Sequence, residues 1–229
     1  VDAADLFTKR ALAAKYDFAP NEEDRAAIPQ LVKLLDGLPL AVELAAARVR
    51  VMQPRMLLSR MDQRFKLLSV SGGRHDRQAT LRTTFDWSWD LLSPAEKSAL
   101  AQLSVFDGGF DIESAEAVLD LSGDGQVHWA VDILQSLVDK SFVRSVSAGR
   151  FDLLASVQDY AAEHLRTPGR FDGSGPEALA SAQARHLEYF ASITAKEATA
   201  DRCIELGNLV TACRRARAAG KPGLAVKTL

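Results

Sequence analysis

Apolar residues recur along most of this chain at the three- to four-residue spacing of amphipathic helices. Leu6, Phe7, Ala11, Ala13 and Ala14 predict a first helix. Asn21 can cap a second, with Glu22, Glu23 and Asp24 in its positive first turn. Pro29 falls inside that pattern, so the helix is expected to kink there or to begin near Ile28. Leu31, Leu34 and Leu35 line one face, Gly37 ends the helix, and Pro39 starts the next. Leu40, Leu44, Ala47 and Val51 continue at helical spacing, and Pro54 opens a short helix through Leu57, Leu58 and Met61.

Residues 69–79 carry two glycines and few apolar side chains, and predict a linker. Beyond it, Thr80 can cap a helix bearing Leu81, Phe85, Trp89 and Leu92. Ser93, Pro94 and Glu96 form a strong helix start, with Ser as cap, Pro in the first turn and Glu completing a capping box. Gly108 and Gly109 make a turn, and Asp111 caps a helix with Ile112, Ala115, Val118 and Leu119. A helix over about 127–139 follows, carrying Ala130, Ile133, Leu134 and Leu137. Two short apolar runs, 142–146 and 151–154, then flank a Ser-Ala-Gly-Arg turn, which is a β-hairpin signal. A helix with Val157, Tyr160, Ala161 and Leu165 closes the segment. Helices followed by a hairpin describe a winged helix, with 127–139 in the recognition-helix place.

After a second linker (167–176) comes a long helix with Leu179, Ala182, Leu187, Phe190 and Ile193, then another from about Asp201 to Ala219. The expected fold is mainly α, in three modules: a small helical bundle (1–68), a winged-helix domain with a β-hairpin (80–166), and the start of a TPR-like helical-repeat region (177–229). Val1 lies inside an amphipathic pattern and Leu229 just after a third helix begins, so the chain is expected to be a piece of a longer protein.

The 229 residues are 47% hydrophobic and 25% charged, ordinary for a folded protein, and the net charge of −2 gives no global pull toward nucleic acid or anionic membrane. Cys203 and Cys213 form no CxxC pair and read as reduced thiols of a cytoplasmic protein. No apolar run approaches the roughly 20 residues of a membrane span. His75, His128, His164 and His186 form neither a metal-binding pattern nor a nucleophile–base motif, so no catalytic or metal site is assigned and the chain is not read as an enzyme.

Two stretches carry a family resemblance. Residues 36–48, Asp-Gly-Leu-Pro-Leu-Ala-Val-Glu-Leu-Ala-Ala-Ala-Arg, resemble the GLPL region of the NB-ARC family of STAND-class signal-transduction ATPases. Residues 81–93, 103–110 and 137–141 are similar to its bacterial branch, many of whose members are transcriptional regulators. The resemblance implies a parent with a P-loop domain ahead of this chain and ADP or ATP with Mg bound there. The chain itself contains no GxxxxGK[ST] loop and is expected to hold no cofactor. It also implies that Gly37, Leu38, Pro39 and Leu40 touch that nucleotide, Pro39 packing beside the adenine. The family's Met-His-Asp motif falls on Leu153, Leu154 and Ala155, so the phosphate-reaching histidine is absent.

Charge separates the functional readings. Over 127–166, Lys140, Arg144, Arg150 and Arg166 face Asp132, Asp139, Asp152, Asp159 and Glu163, a balance of −1. Two of those carboxylates lie on the recognition helix, so DNA contact is expected to be unlikely and protein contacts to dominate. Over 48–82, nine cations face Asp62 and Asp76, a balance of +7. Arg48, Arg50, Arg74, Arg77 and Arg82 are the interaction candidates there, for the P-loop domain in cis, nucleotide phosphates or nucleic acid; the alternative is a solvated face with internal ion pairs. The function expected is the regulatory arm of an ADP/ATP-switched signalling ATPase or transcriptional regulator, acting through protein partners or self-oligomerisation, away from membranes. The rival is a directly DNA-binding winged-helix regulator.

Overall fold

A computed structural model describes residues 3–35, 37–60, 77–122, 128–147, 149–194 and 203–228. The chain divides into two units, one comprising Val1–Leu92 with Asp139–Ser141, the other Ser93–Val138 with Phe142–Leu229.

The first unit contains α1 (Ala3–Ala14), α2 (Glu22–Leu34), α3 (Pro39–Ala46) with a 3-10 turn over Ala47–Arg50, α4 (residues 54–60) and α5 (Arg77–Asp90). Asn21 caps α2, its side-chain oxygen accepting from the Asp24 amide at 2.8 Å. The expected break at Pro29 does not occur: α2 begins at Glu22 and runs through the proline. Pro29 faces solvent, where water can satisfy the Arg25 carbonyl that a helical N–H at 29 would otherwise meet. Asp24 is 3% exposed, and its carboxylate accepts from the Arg55 amide at 3.2 Å in the first turn of α4. Phe7, Ile28, Leu31, Leu35, Val42 and Leu57 form one core, which Trp87 of α5 joins. α3 is buried almost all round, as its nearly continuous apolar sequence requires. Val51, expected on the same face, is exposed because the helix tightens into the 3-10 turn before reaching it.

Residues 69–76 of the expected linker lie outside the described residues, and 77–79 are already helical in α5. Arg, Gln and Ala favour helix, so the first turn starts ahead of Thr80. α5, expected in the winged-helix segment, belongs to the first unit.

The second unit runs α6 (Pro94–Leu103), β1 (Phe110–Asp111), α7 (Ile112–Val118), α8 (Ala130–Asp139, whose last residue counts with the first unit), β2 (Arg144–Ser147), β3 (Arg150–Asp152) and α9 (Ala155–Arg166). The predicted capping box is formed: the Glu96 amide donates to Ser93 Oγ at 3.2 Å, and the Ser93 amide to Glu96 Oε2 at 2.7 Å. Such a cap stabilises by about 1 kcal/mol. Asp111 caps α7 by accepting from the Ser114 amide at 2.8 Å. The antiparallel sheet has the order β1-β3-β2, with Phe110 opposite Phe151 and Arg144 opposite Asp152. β1 was not legible as a strand. It pairs because Gly109, at φ +85°, brings the chain against β3; a Cβ there would sit 2.6 Å from the Phe151 carbonyl oxygen. Helices, a three-stranded sheet and a hairpin in this order make a winged helix-turn-helix domain.

α10 (Pro176–Ser192), α11 (Leu206–Ala218) and α12 (Pro222–Lys227) belong to the same unit. The second of these helices was expected from Asp201; 201–202 lie outside the described residues, 203–205 form a turn, and α11 starts at Leu206. α10 packs on α7 and α9, and α11 on α10. Gly207 lets α11 touch the loop before β1: a Cβ there would collide with the Asp107 carbonyl. The polypeptide expected as a separate repeat module is therefore built onto the winged helix.

Candidate nucleic-acid interface

α8 is amphipathic: Ala130, Ile133, Leu134 and Leu137 are buried, while Val131, Asp132 and Gln135 are exposed. Its position is set partly by the capping box of α6. Glu96 is 5% exposed, and while one carboxylate oxygen accepts from Ser93, the other accepts from Ser136 Oγ on α8. A start signal for one helix thus also orients another. Trp129, just ahead of α8, is 70% exposed, and its carbonyl accepts from the amides of Asp132 and Ile133 at 3.1 and 3.2 Å.

Every residue of β2 is exposed, including Val146. Arg144 donates to Asp152 across the hairpin at 2.8 Å. The second wing arginine behaves differently. Arg150 is 8% exposed and donates to the Gly108 carbonyl at 2.9 Å, with its charge met by Glu205. The outer face of α8 thus offers amide, carboxylate and apolar groups suited to base edges. The wing offers one guanidinium and two serine hydroxyls, Ser145 and Ser147, suited to phosphates.

The other candidates fall as follows. Gly37 adopts φ +63° and donates its amide to the Val32 carbonyl at 2.9 Å; Leu38 is the N-cap of α3 and Pro39 its exposed first residue, with Leu40 half-buried behind it. The corner is formed by the residue types that such a stop and start needs. Arg48 is 3% exposed, lies 5.9 Å from the centroid of the Trp87 ring and donates to the Ser88 carbonyl at 3.3 Å. Arg50 is engaged by the Ala14 carbonyl and the Asp139 carboxylate, and Arg55 by Glu23. Arg82 is exposed on α5. Arg74 lies outside the described residues, and of Arg77 only the helical backbone is described. Arg48 and Arg50 therefore serve the packing of their own unit. Leu154, at the place of the family's histidine, is the N-cap of α9 and makes no side-chain cap bond. Among the described residues, no three His, Cys, Asp or Glu side chains gather to hold a metal, and no helix is long and apolar enough to cross a membrane.

Sequence reasoning missed a buried polar cluster that ties α10 and α11 to the winged helix. Asn208 is fully buried. Its Nδ2 donates to the Gly109 carbonyl at 2.9 Å and to Glu205 at 2.8 Å, and its Oδ1 accepts from the Asp107 amide at 2.7 Å. His186 Nε2 lies 3.3 Å from the same Oδ1. Burial, reinforced by the nearby Arg215 and opposed by the Asn208 bond, pushes the His186 pKa down to about 3, so the ring is neutral and Nε2–H donates. Only the partners of these residues, far away in sequence, reveal them.

Residues 92–166 match the family described as winged helix-turn-helix domain. A protein of Mycobacterium tuberculosis with no function in its name is 38% identical over 175 residues, covering 75% of this chain and 44% of that protein. A second protein of that organism, carrying the name HTH-type transcriptional regulator, is 36% identical over 198 residues, covering 85% of this chain and 21% of its own length. The regulatory protein AfsR of Streptomyces coelicolor is 29% identical over 191 residues, 80% of this chain and 18% of that protein. The chain thus spans less than half the length of each of these relatives. No solved structure matches it.

These findings overturn the expectation that DNA contact is unlikely. A winged helix-turn-helix domain and relatives named as regulators point to DNA, and the charge count misled for a structural reason. It pooled residues of α9 with those of α8 and the wing, and left out Arg50, whose guanidinium meets Asp139.

Proposed function

We propose that this chain is the winged-helix part of a transcriptional regulator and that it contacts duplex DNA through α8 and the β2–β3 wing. The observation that carries this reading is the exposed outer face of α8, with Val131, Asp132 and Gln135, beside a wholly exposed β2 in the stretch that matches the winged helix family. Gln135 suits adenine, Asp132 the cytosine amino group and Val131 the thymine methyl. Arg144, paired across the hairpin with the partly exposed Asp152, can turn to a phosphate and supplies a modest electrostatic share. In this reading the chain performs no catalysis and holds no cofactor itself. Selection from randomised duplexes tests it: the chain enriches a defined site, and Gln135→Ala relaxes one position of that site. Failure to enrich any site, or enrichment indifferent to substitutions on α8, refutes it.

A second reading concerns the longer protein. The formed corner at Gly37 and Pro39 favours a nucleotide-dependent switch of the STAND class upstream of DNA contact. There, ADP and ATP bias two arrangements through differential contacts at that corner. Pro39→Ala in the full-length protein is expected to change the nucleotide exchange rate; an unchanged rate reduces the corner to a helix junction.

A further inference from the structure

The wing and the loop after α7 are both fastened to the helical layer of α10 and α11. At the wing, Arg150 opens β3, yet its side chain is only 10% exposed and that of its partner Glu205 only 13%. Glu205 stands at the turn into α11 and also accepts from Asn208 of that helix at 2.8 Å, while Arg150 grips the Gly108 carbonyl at 2.9 Å. At the other side, Arg185 of α10 donates to the carbonyl of Val118, the last residue of α7, at 2.6 Å, and to Gln102 at 2.7 Å. Gln102 holds both the amide and the carbonyl of Asp120, each at 2.8 Å, at the start of the segment leading to α8.

A buried ion pair is a poor source of net stability, because desolvating both charges offsets most of their attraction. What it does supply is a discrete geometry that is either formed or broken. An arginine at the root of a wing, where an exposed cation could meet phosphate, is instead committed to a helix outside the winged helix. We infer that the α10–α11 layer sets the position of the wing, and through it the strength of DNA contact, with Arg150 as the positioning residue and Arg185 as a second tie, to the loop after α7. A partner or a conformational change acting on this helical layer then modulates DNA binding without touching the DNA-facing side chains. The inference rests on the DNA-binding reading for its consequence, and on the packing alone for its mechanical part.

The test uses the whole chain with Glu205→Gln, which keeps the shape and removes the charge, and Arg150→Lys, which keeps the charge and removes the fork, as the second variant should the first not fold. Two quantities are read: hydrogen exchange of the amides in β2, none of which bonds Glu205, and affinity for a mixed-sequence duplex at low salt. The expected result is faster exchange across Arg144–Ser147 and roughly five- to tenfold weaker DNA binding, the size of an ordinary coupling between sites. If the parent chain binds DNA and the variant binds equally well, or if exchange changes only beside residue 205, the inference is overturned while the DNA-binding reading stands. If the parent chain binds no DNA yet exchange in β2 still rises, the mechanical coupling stands and the DNA-binding reading falls.

Discussion

Asn208→Ala probes the junction between the winged helix and its helical layer most sharply. The side chain is fully buried and makes two donor and two acceptor contacts, to the Gly109 carbonyl, Glu205, the Asp107 amide and His186. Alanine removes all four and leaves an amide, a carbonyl and an imidazole N–H facing a space about the size of a carboxamide. Each buried polar group left without a partner costs about 1–3 kcal/mol. Glu205 retains Arg150, and a water entering the gap can recover part of the loss. The expected destabilisation is therefore about 3–4 kcal/mol, at the upper end for a single substitution. Urea unfolding followed by tryptophan fluorescence and by far-ultraviolet circular dichroism measures it, the two signals checking for a two-state transition. A loss below about 1 kcal/mol would mean that the cluster is hydrated and holds nothing. Asn208→Asp sharpens the test. It preserves the acceptor toward the Asp107 amide but sets a second carboxylate beside Glu205 and an oxygen against the Gly109 carbonyl. Its destabilisation is expected to ease as pH falls and the introduced carboxylate takes up a proton.

Three further outcomes follow from the same structure. His186 has a folded pKa of about 3 against about 6.5 in the unfolded chain, so between those values the unfolded state binds the extra proton and stability falls with falling pH. From pH 7 to pH 5 this amounts to about 2 kcal/mol, and His186→Phe is expected to flatten that part of the pH–stability curve; an unchanged slope refutes the assignment. Gly207→Ala is expected to cost about 2–3 kcal/mol by thermal unfolding, since its Cβ meets the Asp107 backbone, whereas Gly220→Ala meets no neighbouring atom and loses only the ease of its positive φ. Pro29→Ala is expected to raise stability by about 1–2 kcal/mol by restoring a helical hydrogen bond to the Arg25 carbonyl on an exposed face; destabilisation would show that the ring supports packing.

Local signals carried much of the architecture. The Ser93 and Glu96 capping box, the Gly37 and Pro39 corner, the Asp111 cap and the α8 stripe are written within a few residues of where they act, and each forms as its spacing predicts. β1 escaped because two residues are too few to show a strand period, and its pairing depends on a glycine that lets the chain approach β3. The attachment of α10 and α11 escaped for a deeper reason. Asn208 and Glu205 stand in no sequence motif, and become structural only through residues 107–109 and Arg150, far away along the chain. The arginines at 48 and 50 read as part of a surface, yet one lies against Trp87 and the other is held by Ala14 and Asp139. At the candidate interface, α8 forms over nearly the span its stripe predicted, whereas the charge count over 127–166 mixed α9 with the residues of α8 and the wing.

The most direct test of the account is the DNA affinity of the chain measured against salt concentration, in the parent sequence and in Arg144→Ala. With Arg144 as the cation on the wing, log K is expected to fall with log salt at a slope of about −1, and Arg144→Ala to remove most of that slope. Binding too weak to detect at low salt, or a slope and affinity indifferent to Arg144 and to the outer face of α8, would contradict the assignment of this winged helix to DNA.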